Sequence, residues 1–279
     1  MAPGAAADLY LDLLVKCLTG TLDAEELHIV DPRDGWKRRV WRQLARPVLD
    51  RARLDVVRHV PVRPELRDEG HDWPQAAETM VGLARLASLR ACVAQVLVDG
   101  VPGDLLEAGT WRGGSAILMR AVLEAHGDPG RRVWVADSFQ GVPPPDPERY
   151  PADAGDTHWT WDQLAVPVER VQANFAKYGL LDDRVRFLEG WFKDTLPGAP
   201  IEQLAVLRID GDLYESTLDA LRPLYPKLAP GGFVIVDDYG CVPGCRLAVD
   251  EFREEHGITE PIEKIDWTGI LWRKKVAAR

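Results

Sequence analysis

Residues 105–119 read LLEAGTWRGGSAILM, and their order decides the fold. A short apolar run closes on Glu107, a glycine-rich turn spans Gly109 to Gly114, and Ser115 opens a segment with helical spacing. That is the strand, tight turn and helix start of a nucleotide-binding α/β unit. Glycine suits such a turn because the backbone must adopt conformations that a side chain blocks and must approach a ligand closely. The exposed amides at the helix start then favour electron-rich or anionic ligand groups.

The spacing says what is bound. A dinucleotide fingerprint is G-x-G-x-x-G, whereas this chain has an acidic residue and then G-T-W-R-G-G. Trp111 stands where a glycine would admit a pyrophosphate, so a ligand without one is favoured. Beyond Gly114 the run RRVWVAD ends in Asp137, at the distance where an acidic side chain binds two ribose hydroxyls. Glu107, Gly109 and Asp137 together suit a nucleoside carrying an amino-acid tail, which means S-adenosylmethionine.

Outward from this unit, apolar strands alternate with helices. Strands are expected at 104–108, 132–137, 184–188, 204–210 and 232–237, and helices at 115–126, 161–178, 216–228 and 245–256. Strands that are apolar throughout and separated by helices imply a parallel sheet covered on both faces, with right-handed crossovers. The tail PIEKIDWTGILWRKK reads as two further strands turning near Thr268 and Gly269, an antiparallel end to the sheet. The segment 138–160, with three consecutive prolines, is a loop long enough to be a lid or binding loop.

Upstream, residues 8–19 place Leu9, Leu13 and Cys17 four apart, an amphipathic helix that needs a partner surface. Residues 33–63 are rich in arginine and read as a solvated helix packed by its apolar stripe and broken near Pro47. Asp72 to Pro74 read as a turn and helix start, after which Met80, Leu83, Leu86, Leu89 and Val93 repeat at helical spacing. Gly70 to Thr79 is then a cover over the site. The expected division is a helical N-terminal arm over 1–70 and the main domain over 71–279.

Composition narrows the function. A formal charge of -10 argues against nucleic acid and against an anionic membrane surface. No run approaches the length of an apolar membrane span, and the N-terminus lacks a signal-type core, so a cytoplasmic protein is expected. Cys17 and Cys92 sit in helix-like apolar patterns as buried thiols, and Cys241 with Cys245 lacks the partners that complete a zinc site.

The second constellation is VLRIDGDLYEST with VIVDDY. Both are apolar strands running into aspartates, Asp210 and Asp212 at one end and Asp237 and Asp238 at the other. In a parallel sheet these ends share an edge with the glycine turn, where such folds bind ligands. Neighbouring strands lie about 4.8 Å apart, so three carboxylates converge. Such a cluster repels itself unless a hard cation such as Mg²⁺ takes its oxygens. Asp212 is the member best suited instead to cap the helix near Ser216. A chelating diol, with Asp210 as metal ligand and base, gives O-methylation.

The blocks HDWP, ETMVGLARL, LLEAGTWRGGS, VWVADSFQGVPPPDPERYPADAG, LRIDGDLYEST, LYPKLAPGGFVIVDDY and IDWTGILWRK resemble the macrocin O-methyltransferase family, the TylF/MycF/NovP group. The likeness runs from about 70 to 279 and is weakest over 33–63. It implies a Rossmann-like class I methyltransferase with a mostly parallel seven-stranded sheet, S-adenosylmethionine and Mg²⁺ as cofactors, and a sugar hydroxyl of a glycosylated natural product as acceptor. It also implies a homodimer or higher oligomer in which the N-terminal segment helps cover a neighbouring site. By position it assigns Asp210 as metal ligand and base, and Asp237 and Asp238 as metal ligands. Glu107, Gly109, Trp111, Ser115, Asp137, Ser138, Gly190 and Trp191 fall to the cofactor. His158 in the loop is an alternative base or sugar contact, or simply a loop histidine. A methyltransferase of small catechol-like diols and a non-catalytic cofactor-binding homologue are the competing functions.

Overall fold

The computed structural model describes residues 3–22, 25–30 and 40–275. Along the chain run α1 (Pro3–Thr19), β1 (Glu25–Ile29), a π-helical turn (Trp41–Ala45) leading into α2 (Arg46–Ala52), β2 (Val57–Pro61), α3 (Pro64–Glu69) and α4 (Leu83–Val98). The main sheet begins with β3 (Asp104–Ala108), α5 (Gly114–Ala125), β4 (Val133–Asp137), α6 (Val168–Lys177), β5 (Val185–Glu189) and α7 (Phe192–Thr195). It closes with β6 (Leu204–Ile209), α8 (Tyr214–Leu224), β7 (Leu228–Val236), α9 (Pro243–Glu255), β8 (Glu263–Lys264) and β9 (Ile270–Arg273).

Seven strands form one sheet in the order β5-β4-β3-β6-β7-β9-β8. The first five are parallel and β9 runs antiparallel to both β7 and β8, as the tail had suggested. Apolar side chains of both faces are buried, which is why these strands lack alternation. One face packs α1, α4, α5 and α6 through residues such as Leu14, Leu89, Ile117 and Phe175. The other packs α8 and α9 through Leu221, Leu224, Val249 and Phe252.

The N-terminal region departs from the sequence reading in several places. In α1 the packed stripe is Leu11, Leu14 and Leu18, while Leu9 and Leu13 face outward, so the four-residue spacing read from Leu9 marks the opposite side. Residues 31–39 of the basic stretch lie outside the described residues. The remainder is not a helix broken at Pro47. Pro47 sits in the first turn of α2, where no amide partner is needed, and residues 57–61 form a strand paired antiparallel with β1. That partner lies some thirty residues upstream, beyond the reach of local periodicity.

No helix starts at Asp72–Pro74 either; α4 begins at Leu83. The carbonyls of Pro74, Gln75 and Ala77 accept hydrogen bonds from the Arg112 guanidinium at 3.4, 2.9 and 2.8 Å. The Gly114 amide donates to the Glu78 carbonyl at 3.0 Å. The segment is thereby stretched across the glycine turn instead of bonding to itself. At the other end of the chain's middle, Pro167 delays the helix expected from 161, and α6 starts at Val168 after two 3₁₀ turns.

The glycines of the turn answer to protein packing. A Cβ on Gly109, which has φ +87°, would lie 1.7 Å from the Asp210 carbonyl oxygen, and one on Gly114 would lie 2.6 Å from Thr79 Cβ. Gly109 thus lets the Asp210 backbone at the end of β6 press against the turn. Gly109→Ala should cost at least about 3 kcal/mol, because backbone must move to admit the methyl. A denaturation midpoint within error of the wild type would contradict this packing.

Candidate active site

Parallel register sets up the centre. Glu107 on β3 is in register with Arg208 on β6, and Arg208 with Ile235 on β7. The two charged side chains therefore stand side by side on the α4–α5 face, both almost fully buried. Arg208 Nη1 donates to Glu107 Oε1 at 2.6 Å, and Nη2 donates to Asp210 Oδ2 at 2.9 Å and to Asp237 Oδ1 at 2.5 Å. Asp210 shares this face because it lies two residues further along the same extended chain.

A second guanidinium arrives from α4. Arg85 pairs through Nη1 with Asp237 Oδ2 and through Nε with Asp266 Oδ2, the latter at 2.8 Å. Burial alone would raise the Asp237 carboxyl, but Arg208 and Arg85 hold it below the usual carboxylate range. Its neighbours lack that cover. Burial, then Asp237, push Asp210 up to about 6 against the pull of Arg208. Burial, then Asp210, push Asp212 to about 7, and burial with Asp212 and Asp210 drives Asp238 well above its ordinary value. Glu107, Asp210, Asp237 and Asp266 share the two guanidiniums, while Asp212 and Asp238 have no cationic partner among the described residues.

Asp210, Asp237 and Asp238 each offer an oxygen lying within 4.8 Å of the others, the one such group among the described residues. The excess of negative charge and the spacing of hard oxygen donors fit a divalent cation of the Mg²⁺ type. Asp212 does not cap α8. Its backbone, at φ +57°, donates its amide to Asp238 Oδ2 at 3.1 Å. The cap comes from the loop after β4, where Asp153 Oδ1 and Oδ2 accept the Tyr214 and Glu215 amides at 2.6 and 3.1 Å.

These carboxylates floor a cavity of about 490 Å³. Its walls include Glu107, Gly109, Trp111, Ser115, Asp137, Ser138, Trp191 and His158; Gly190 is not among them. Gly190 lies behind, donating its amide to the Asp137 carbonyl at 2.9 Å. Asp137 ties the turn together: its Oδ2 accepts the Thr110 amide at 2.7 Å and its Oδ1 the Phe139 amide at 2.8 Å. Glu107 also accepts the Thr110 hydroxyl at 2.8 Å, and burial raises its carboxyl to about 7. His158 Nδ1 is bonded to Asp156 Oδ2 at 2.7 Å. All four cysteines are free thiols.

Sequence reasoning missed Arg208 and Arg85. A detectable signal existed for the first: an arginine inside the apolar run VLRI is rarely buried unless it is paired. Arg85 and its partner Asp237 lie 152 residues apart, and nothing local joins them.

Comparison with known proteins agrees with this architecture. Residues 7–274 match the family described as Macrocin-O-methyltransferase (TylF). The chain is 52% identical over 274 residues to the 8-demethyl-8-(2,3-dimethoxy-alpha-L-rhamnosyl)-tetracenomycin-C 4'-O-methyltransferase of Streptomyces olivaceus, covering 98% of this chain and 95% of the relative. It is 43% identical over 277 residues to the mycinamicin III 3''-O-methyltransferase of Micromonospora griseorubida, covering 98% and 99%. The solved structure of the O-methyltransferase NovP superposes with a TM-score of 0.83 at 46% identity, covering 97% of this chain and all of that one.

Arg208→Met leaves Glu107 and Asp210 as buried anions without a cation and Asp237 with Arg85 alone, and should destabilise the protein by about 3–5 kcal/mol at pH 8. Arg208→Lys should recover little, because one ammonium does not span three carboxylates. Glu107 and Asp210 already titrate above their unfolded values and rise further without the guanidinium, so the deficit is present at high pH and narrows as the pH falls from 8 to 6. Urea melts across that range check the sign, and a deficit that widens toward pH 6 would refute it.

Proposed function

Because the chain belongs to the macrocin O-methyltransferase family and is an S-adenosylmethionine-dependent O-methyltransferase, we propose that it methylates a sugar hydroxyl of a glycosylated natural product with the help of Mg²⁺. The observation that carries this reading is the triad Asp210, Asp237 and Asp238 opening into the same cavity as the glycine turn.

Cavity charge favours a glycoside over a nucleotide sugar. Nine carboxylates and four arginine or lysine side chains line it, and two of those four, Arg85 and Arg208, are already committed. A diphosphate would meet repulsion there. The relatives named above act, by their names, on glycosylated compounds, which favours a sugar over a small catechol.

In the proposed reaction Glu107, Gly109, Trp111, Ser115, Asp137, Ser138 and Trp191 enclose S-adenosylmethionine, with Gly190 bonded through its amide to the Asp137 carbonyl. Asp210, Asp237 and Asp238 would hold Mg²⁺, which would supply the positive charge that acidifies the acceptor hydroxyl and offsets the carboxylates. Asp210 Oδ2 is held by Arg208, so Oδ1 is the oxygen that accepts the hydroxyl proton. The chain's main contribution is alignment: Arg208 fixes Glu107 of the cofactor wall and two of the metal carboxylates relative to one another. Leu9 and Leu13 on the outer side of α1 are exposed apolar residues suited to a subunit contact, and a dimeric or larger mass by light scattering is expected.

Asp210→Asn should lower turnover by a factor of about 10³ or more while S-adenosylhomocysteine affinity stays within about threefold. EDTA should stop methyl transfer to a glycoside and added Mg²⁺ restore it. Turnover of a small catechol with none of any glycoside would sink the sugar reading, and full activity in EDTA would sink the metal.

A further inference from the structure

Two covering segments meet above the cavity. Residues 70–82 carry Trp73, and the loop after β4 carries His158 and Trp161. Trp73 and Trp161 touch edge to face with ring centroids 5.9 Å apart, and His158 meets Trp161 edge to face at 4.6 Å. On the far side, in the turn between β8 and β9, Trp267 donates its indole Nε1 hydrogen to the Glu69 carbonyl at 2.7 Å and stacks on His71 at 4.3 Å. Both Trp161 and Trp267 line the cavity, yet they remain 37% and 39% exposed. In strand order the carboxylates at the ends of β6 and β7 lie between the β3 turn, whose Trp111 donates its indole hydrogen to Gln163 beside Trp161, and the β9 edge, which bears Trp267.

Two indoles whose rings are fixed by neighbours, Trp267 with one face on His71, and which stay more than a third exposed at the rim of a cavity, are preorganised apolar surface. They lose little conformational entropy when something stacks on them. The carboxylates below take the polar part of an acceptor and leave the indoles its apolar part. Indole faces stack best on planar rings, and the acidic lining disfavours an anionic occupant.

We propose that Trp161 and Trp267 wall a slot for a flat, uncharged polycyclic aglycone, so that the acceptor is the glycoside of a planar aromatic ring system. This rests on the sugar-methylating reading and narrows it. It also orders the chemistry: glycosyl transfer onto the aromatic system precedes this methylation, because the slot grips the aglycone while the sugar reaches the carboxylates.

The test measures methyl transfer to a hydroxyanthraquinone rhamnoside, a macrolide glycoside and methyl rhamnoside, on the wild type and on Trp161→Ala, Trp267→Ala and their phenylalanine counterparts. The flat glycoside should have a KM at least about tenfold below methyl rhamnoside, and each alanine variant should raise that KM about five- to thirtyfold with kcat within about twofold. Phenylalanine should restore most of the loss, and the KM of methyl rhamnoside should hold within about twofold. A macrolide glycoside preferred over the flat one, or alanine variants that raise KM for all acceptors alike, would overturn the slot. Separately, a free hydroxyanthraquinone, lacking any sugar, should quench part of the indole emission in the wild type and lose that part in the Trp161→Phe, Trp267→Phe double variant. Quenching without methylation of any glycoside would leave the slot and remove the sugar reading; methylation of glycosides without quenching would do the reverse.

Discussion

Arg208 reaches from the middle of β6 to carboxylates contributed by three strands, and the geometry of the active centre depends on that reach. A buried guanidinium carries a desolvation cost of several kcal/mol, and three acceptors with short, directed hydrogen bonds offset it. The planar fork suits this task because one nitrogen faces Glu107 and another faces Asp210 and Asp237 at once. Glu107 beside the glycine turn and two members of the acidic triad are consequently tied to one side chain. Relative motion between them would require breaking a hydrogen bond in a medium of low polarity, where such bonds are strongest.

The turn after β3 obeys a similar logic. Its glycines read as room for a ligand, and the structure gives two of them a different reason: Asp210 backbone sits against Gly109, and Glu78 and Thr79 sit against Gly114. Arg112 then clamps the carbonyls of 74–77 over the turn, while Glu78 receives Lys177 and the Tyr178 hydroxyl at 2.7 and 2.8 Å. A cover whose backbone carbonyls accept hydrogen bonds from the scaffold is held where a helix would have withdrawn them.

How much of this was legible follows from the range of each interaction. The parallel strands were readable within a residue or two, apart from the earlier start of β7, because burial on both faces leaves an unbroken apolar run. The triad was readable because strand ends in one sheet share an edge. Illegible were contacts set by distant chain: β2 needs β1, Arg85 needs Asp237, and the cap of α8 comes from Asp153, about sixty residues upstream. Asp212 illustrates the difference. Local rules favour it as a cap, yet a left-handed backbone turns its amide to Asp238 and a loop residue takes its place.

The division of charge within the triad also bears on how a cation enters. Asp237 stays ionised under two guanidiniums, whereas Asp238, with no cationic partner among the described residues, keeps its proton well above the ordinary carboxylate range. Arginine thus offsets the charge of one member, while burial and neighbouring carboxylates oppose ionisation of another. Under the proposed reading, a divalent cation would have to displace a proton from Asp238 and share Asp237 with Arg208 and Arg85, so its affinity would rise with pH. On that reading the acceptor's own oxygens would complete the shell of an ion that these partly committed carboxylates alone would hold weakly.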